Sequence, residues 1–420
     1  MSFYIQALFI AIPIFSLFII IEWIIASKMK LDINRPADFI SSLSSGMSNI
    51  TKDGMKLSVV LISYSWLVDN FTIYKLEPLW LAAGLAFLVQ DFSGYWMHRL
   101  NHRVNIFWNR HVIHHSSEEF NLAAGLRQSI SETFHFSALL MIPAALLGVP
   151  SEIFAVLAPL HLFMQFWYHT RLIKKMGWLE KIIVTPSHHR VHHAINPEYI
   201  DKNYGQILII WDKLFGSFQK ELDHVKPVYG ILRPAKTWNP ILINFKHIWQ
   251  LFKDAYHTKG IWDKVRIWFM PTGWRPQDVE LNYPLKTIHN PNEQQKYHTK
   301  LSSYFITWSF IQKFIGLLFM FHFFSILHLQ NSILNYSYGL FILTHIFSFT
   351  AAMDQKKYSI NTEMIKVFFV LGILVSQNVS WFGLDGPYVY CLLIYIITSY
   401  CLTRFFYKNE TDSGKFLQYL

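Results

Sequence analysis

Apolar residues run along this chain in blocks long enough to cross a bilayer, and the polar residues gather between them. About 30 Å of hydrocarbon needs roughly 20 helical residues at 1.5 Å each. Phe3 to Ile25 meets that length. It lacks the basic start and small-residue cleavage site of a signal peptide, so it is expected to be a retained anchor. Leu57 to Tyr74, interrupted by Asp69, and Leu79 to Met97 are the next expected spans. Phe134 to Gly148 and Ile153 to Tyr168 are shorter and meet at Pro150, which predicts a hairpin over 134–168 that enters the bilayer and turns back. Tyr304 to Leu329, Ile333 to Met353, Met364 to Ser376 and Pro387 to Phe406 complete the expected spans. The pattern predicts an all-α fold, a multi-pass membrane helical bundle carrying a histidine-rich cap. Three regions are expected: anchor spans over 1–97, a histidine-cluster catalytic region with the hairpin and cap over 98–300, and a C-terminal transmembrane bundle over 301–420.

Composition supports lipid as the solvent. Charged residues make up 15% of the 420, against about 25% in a soluble globular protein. A formal charge of +10 raises nucleic acid as a partner, but the basic residues form no long run. They sit instead in alternate loops: Lys28 to Lys56, Arg99 to Arg110, Lys174 to Lys181, Lys356 and Lys357, then Arg404 and Lys408. By the positive-inside rule these loops, the histidines and the C-terminus face the cytoplasm, with the N-terminus outside. The expected location is therefore the cytoplasmic membrane of a bacterium or the endoplasmic reticulum of a eukaryote. Between Arg171 and Lys300 no stretch can span, while Trp, Tyr and Phe recur among lysines, the composition of a cap resting on headgroups. Cys391 and Cys401 share one apolar segment and suggest neither a disulfide framework nor a thiolate metal site.

Histidine is the residue type that most needs explaining. Twelve of the twenty lie between 98 and 193. His98 and His102 stand at i and i+4; His111, His114 and His115, and again His189, His192 and His193, stand at i, i+3 and i+4. On a helix each set points from one face. Neutral imidazole is a good ligand for iron, zinc, copper and nickel, and eight of them exceed what one ion can use, so two ions are expected. His169 and His188 adjoin these clusters and join the candidates as ligands or ligand partners. His135, His161, His322, His328 and His345 read as hydrogen-bonded bystanders.

A zinc hydrolase of the HExxH type needs a glutamate inside its motif, and none of the three clusters has one. Single axial histidines of a di-haem protein fit tight triplets poorly. A non-haem centre of two irons at the rim of a bilayer suits oxygen chemistry on an alkyl chain, and zinc can replace iron on purification. Asp91, seven residues before His98 and inside a span, and Glu118, beside the second cluster, are candidate catalytic acids that balance metal charge or relay protons. A metal-carrying protein without catalysis would thread ionisable residues through several spans, whereas these ligands gather on one side.

The longer text around the clusters resembles a known family. It includes His114-His115-Ser116-Ser117-Glu118, Leu126-Arg127-Gln128-Ser129, Gln165-Phe166-Trp167 with His169-Thr170, Thr185-Pro186-Ser187-His188-His189-Arg190-Val191-His192-His193, Ile200-Asp201-Lys202-Asn203-Tyr204 and Ile210-Trp211-Asp212-Lys213. From about Gly94 to Gly230 the chain is similar to the fatty acid hydroxylase and sterol desaturase superfamily, and within it to the alkylglycerol monooxygenases. The resemblance implies two irons on His98, His102, His111, His114, His115, His189, His192 and His193, with Glu118 at an acidic position beside them. It further implies tetrahydrobiopterin as soluble electron donor, dioxygen as co-substrate, and a membrane ether lipid cleaved to a fatty aldehyde and a glycerol derivative. A sterol, fatty acyl or carotenoid-like substrate of the same superfamily is the alternative.

Overall fold

The structure is a computed structural model that describes residues 3–412. The chain opens with α1 (Phe3–Lys28) and α2 (Pro36–Gly54), and a broken stretch holding α3 (Tyr64–Phe71) leads into α4 (Leu79–Arg103). One extended residue, Val104, turns α4 into α5 (Asn105–His115). The short α6 (Leu122–Gly125) and α7 (Ile142–Leu146) precede α8 (Ser151–Phe166). Then come α9 (Pro186–His192), α10 (Ile210–Leu214), α11 (Pro240–His257), α12 (Ile261–Arg266) and α13 (Gln277–Asn282). Four long helices close the fold: α14 (Ser303–Ile326), α15 (Ser332–Met353), α16 (Tyr358–Ser376) and α17 (Pro387–Asp412).

Among the described residues, four helices are long and apolar enough to cross a membrane: Gln6–Lys28, Ser303–Ile326, Tyr358–Ser376 and Pro387–Glu410. This makes the chain a helical membrane protein. Helices α4 and α15 are of similar length; α4 carries Gln90, Asp91 and Ser93, and α15 is largely buried among its neighbours. From Leu79 to His98, α4 still rises about 28 Å at 1.5 Å per residue, the depth of a bilayer core.

Two expected spans are corrected. Leu57 to Tyr74 is not one helix: it holds the two-residue strand β1 (Val59–Val60) and the eight-residue α3. The expected hairpin has only one helical arm of any length, α8, because its first arm is the strand β2 (Phe134–His135), a 3-10 turn and the five-residue α7. These two broken arms descend together. β1 and β2 pair in parallel, and farther along Ile73 N and Tyr74 N donate to the Leu146 carbonyl. Each arm thus satisfies polar backbone that a lone irregular segment would leave bare in lipid.

The sequence reading gave no element to residues 36–54, yet α2 lies at the centre of the molecule. Its serines are buried, and Ser44 and Ser48 return their hydroxyls to carbonyls one turn back, at 2.7 and 2.8 Å. Small hydroxyls that bond back along their own helix, as at Ser44 and Ser48, let α14 and α15 pack closely on α2. In the C-terminal bundle an apolar core around Phe323, Phe341, Phe349 and Trp381 surrounds one polar node. Lys366 Nζ meets Glu363 at 2.8 Å and Ser399 Oγ at 2.9 Å, and Ser348 Oγ donates to Glu363 at 2.7 Å, all fully buried.

Candidate metal centre

Local chemistry sets each helix that carries a histidine cluster. The α4–α5 corner is braced by Asn105, whose side-chain amide donates to the Ile267 and Trp274 carbonyls, so His98 and His102 on α4 face His111, His114 and His115 on α5. α9 begins with Pro186 at its first position, where no backbone donor is lost, and with Thr185 and His188 as a reciprocal cap. That start turns His189 and His192 inward and leaves His193 at the helix end.

The imidazoles fall into two groups. His98, His102, His111, His115 and His192 form one; His114, His169, His189 and His193 form the other; each could hold a metal ion. The second is a closed ring of Nε2 atoms: His114 to His169 3.3 Å, His169 to His189 2.8 Å, His189 to His193 3.0 Å, His193 to His114 3.1 Å. An ion inside such a ring would lie about 1.9 to 2.2 Å from each nitrogen depending on pucker, which brackets the roughly 2.0–2.1 Å of imidazole ligation to zinc. In the first group His98 and His111 approach to 3.0 Å and His102 and His115 to 3.1 Å through the same atoms. The groups adjoin, with the His115 and His193 rings stacked at 4.2 Å.

Protons decide whether these approaches are ordinary hydrogen bonds. The Nδ1 of His98, His114, His169 and His192 each meets a backbone carbonyl, of Tyr204, Arg127, Gln165 and Lys202, at 2.8 to 3.1 Å. A carbonyl can only accept, so in a neutral ring that Nδ1 carries the proton and Nε2 is a bare lone pair. His114 and His169 then present two lone pairs to each other with nothing to donate. His192 Nε2 has no partner although buried. A shared cation satisfies both observations, and protonation does not, because burial and the neighbouring imidazoles hold these histidines neutral. His114 is brought down to about 4, and His111, His115, His169, His189, His192 and His193 fall well below the usual value.

The carbonyls that orient the rings are themselves pegged. Asp91, fully buried, accepts from Ile207 N, Leu208 N, the Trp211 indole and His161. Asp212, equally buried, accepts from Tyr204 N and Gly205 N at 2.7 Å and from Ser217. Together they fix the 202–212 loop whose carbonyls hold His98 and His192. A side chain at Gly205 would strike Asp212 Oδ2 at 2.8 Å, and one at Gly125 would strike the His169 ring at 2.8 Å, so both positions need glycine.

Nine of the ten sequence-proposed ligands are brought together, His169 among them. His188 is not: its Nδ1 faces the Thr185 backbone at 3.4 Å and its ring lies on Phe218. Asp91 and Glu118 also lie outside both groups. Glu118 accepts from Tyr297 N at 2.6 Å and faces Arg35, and burial raises its carboxyl above the usual range. Asp212 was missed as a site residue: it stands in the quoted stretch Ile210-Trp211-Asp212-Lys213, but its bonds to Tyr204 N and Gly205 N exist only in the folded loop.

The fatty acid hydroxylase family model matches residues 83–217, the stretch that holds all nine imidazoles. The chain is 36% identical to alkylglycerol monooxygenase of Danio rerio over 84% of its length and 78% of that protein's. It is 34% identical to the Xenopus tropicalis enzyme of that name over 89% and 83%, and 39% identical to the human one over 61% and 57%. No solved structure matches. The first two similarities cover more than four-fifths of the chain at over 30% identity, so the chain belongs to the alkylglycerol monooxygenase family of membrane fatty acid hydroxylases.

Proposed function

We propose that this lipid monooxygenase uses two irons and dioxygen to hydroxylate the ether-bearing carbon of an alkylglycerol. The observation that carries the reading is the ring of four facing Nε2 atoms beside a second group of five, with His114 and His169 lacking a proton to share. Metal ions held there would supply oxygen activation; His98, His102, His111, His115 and His192 would hold one, and His114, His169, His189 and His193 the other. One oxygen atom enters the C–H bond and the other leaves as water, with two electrons and two protons from a soluble donor. Resemblance suggests tetrahydrobiopterin as that donor. The resulting hemiacetal breaks its C–O bond to give a fatty aldehyde and a free glycerol hydroxyl.

The chain's own contribution is placement and dryness. Asp91 and Asp212 hold the loop that orients His98 and His192, and the Arg127 carbonyl orients His114. Phe120 stacks on Tyr229 and lies within 6.0 Å of His169, His189 and His193, while Trp108 covers His102 and His115, so aromatic faces shield the imidazoles from water. The basic loops support a cytoplasmic site, open to a soluble reductant.

The test is turnover in membranes given 1-O-alkylglycerol, dioxygen and reduced pterin, with iron counted per chain. Fatty aldehyde appearing only with all three, at two irons per chain, supports the reading. Oxidation of a sterol or free acyl chain in place of the ether would replace the substrate, and a single ion per chain would overturn the centre.

A further inference from the structure

Helix α11 has one face packed against the cap and an apolar face opposite it that nothing covers. Its inner face carries the buried Ile243, Asn244, Leu251 and Asp254. That face meets α5, where Ile248 N donates to Asn109 and His247 meets the Asn105 carbonyl. The outer face bears Leu242, Phe245, Trp249, Phe252 and Tyr256, a stripe at steps of three and four residues, 38 to 81% exposed. The pattern continues on α12 with Ile261 at 80% and Trp262 at 67%, then with Phe269 at 68%. An apolar stripe this long, on the side of a helix opposite its packed face, is not a feature of a free surface.

We infer that α11 and α12 lie in the plane of the bilayer interface, with the Phe245–Tyr256 stripe and Ile261, Trp262 and Phe269 inserted among lipid headgroups and upper acyl chains. Two observations select lipid as the occupant. An apolar groove of about 510 Å³ runs from Ile241 and Phe245 on α11 across Leu343 and Phe347 on α15 to Ile365 on α16. Its far end therefore lies on a membrane-spanning helix whose Ile365, Phe368 and Leu371 are themselves exposed, so the stripe continues a surface that already faces hydrocarbon. Exposed Lys253, Lys259 and Lys264 flank the aromatics, and Lys253 sits over the Trp249 ring at 5.8 Å. Aromatic rings edged by lysines match an interface with anionic headgroups. Because α11 packs on α5, the seat would fix the depth of His111, His114 and His115 relative to the alkyl chain; that consequence rests on the proposed function, the seat itself does not.

The test reads position rather than turnover. In the full chain, with Cys391 and Cys401 changed to Ser, nitroxide labels at Trp249→Cys and Trp262→Cys are measured in phosphatidylcholine–phosphatidylglycerol vesicles. A label at Lys220→Cys, exposed elsewhere on the cap, is the comparison. Relaxation by dissolved oxygen should exceed relaxation by a water-soluble paramagnetic chelate several-fold at 249 and 262, and the order should reverse at 220. Phe252→Cys and Phe269→Cys give the same reading if a Trp variant fails to fold. Water-like accessibility at the α11 and α12 positions overturns the inference, and if the particle mass in detergent is then twice that of the chain, a second copy is the occupant. Loss of ether cleavage with a lipid-exposed 249 would instead count against the proposed function alone.

Discussion

Nine imidazoles in the cap and one ammonium–carboxylate pair in the C-terminal bundle are both withdrawn from solvent, yet their polar atoms are completed differently. Around Lys366 the chain supplies the positive charge itself: Glu363 accepts from the ammonium and from Ser348 and Ser399, and no atom of the pair lacks a partner. Among the histidines the positive charge is missing, because neutral rings already anchored through Nδ1 turn lone pairs toward one another. A buried polar group left incomplete costs about 1–3 kcal/mol, so several such atoms gathered in one place persist only if something else completes them. The complete node belongs to the architecture and the incomplete one to chemistry.

The largest expected effect separates the two directly. His169→Ala removes one corner of the four-membered ring, and each remaining nitrogen loses its geometry with it. Metal content should fall by about half and turnover by more than the roughly 10- to 100-fold typical of losing a ligand's outer partner. The protein should still fold, since Gly125, which the ring now crowds, gains space. Full metal loading with normal turnover in this variant would show that the ring is not a ligand set.

Lys366→Met tests the other side. Leaving Glu363 ionised and unpaired at full burial should cost about 3–5 kcal/mol, seen as a large drop in the thermal midpoint of the detergent-solubilised protein. The double variant Glu363→Gln with Lys366→Met removes both charges and should recover most of that loss. In each, the metal content of the chains that remain folded should be unchanged. A metal deficit in the double variant would mean that the node acts on the cap and that the contrast between the regions fails.

The histidine helices were legible because their information is local: spacing of i, i+3 and i+4 places imidazoles on one face whatever the chain does elsewhere. His169 was legible only as a candidate, since its membership depends on approaches across 20 and 55 residues. Residues 36–54 were not read as a helix because their serines dilute the apolar composition that marks a span, and the central burial of the segment depends on hydroxyls that bond back along it. Leu57 to Tyr74 misled for the opposite reason. Its composition suits a span, but its backbone is completed by pairing with 134–146, a partner no window of that length contains.

Asp91 was legible as an unusual acid inside an apolar helix, and its role divides two mechanisms. Four donors converge on its carboxylate, so Asp91→Asn sets an amide N–H against at least one of them. A loop peg predicts a thermal midpoint lowered by the equivalent of about 1–3 kcal/mol, with turnover falling only as the His98 and His192 carbonyl anchors loosen. A proton relay predicts an unchanged midpoint and lost turnover. Measuring both on one preparation decides between them.

His188→Ala gives the smallest expected change and the finest test of the division between groups. His188 and His189 are adjacent in sequence and both buried, but one step along a helix turns a side chain by about 100°. That step sends His189 into the ring of four and His188 back to the start of α9, against Thr185 and Phe218. Losing this half of the reciprocal cap should cost on the order of 1 kcal/mol, with metal content and turnover per folded chain retained. His189→Ala should keep the cap and abolish turnover. If the two variants exchanged behaviour, α9 would be wound with the other histidine inward, and the Lys202 carbonyl could no longer anchor His192.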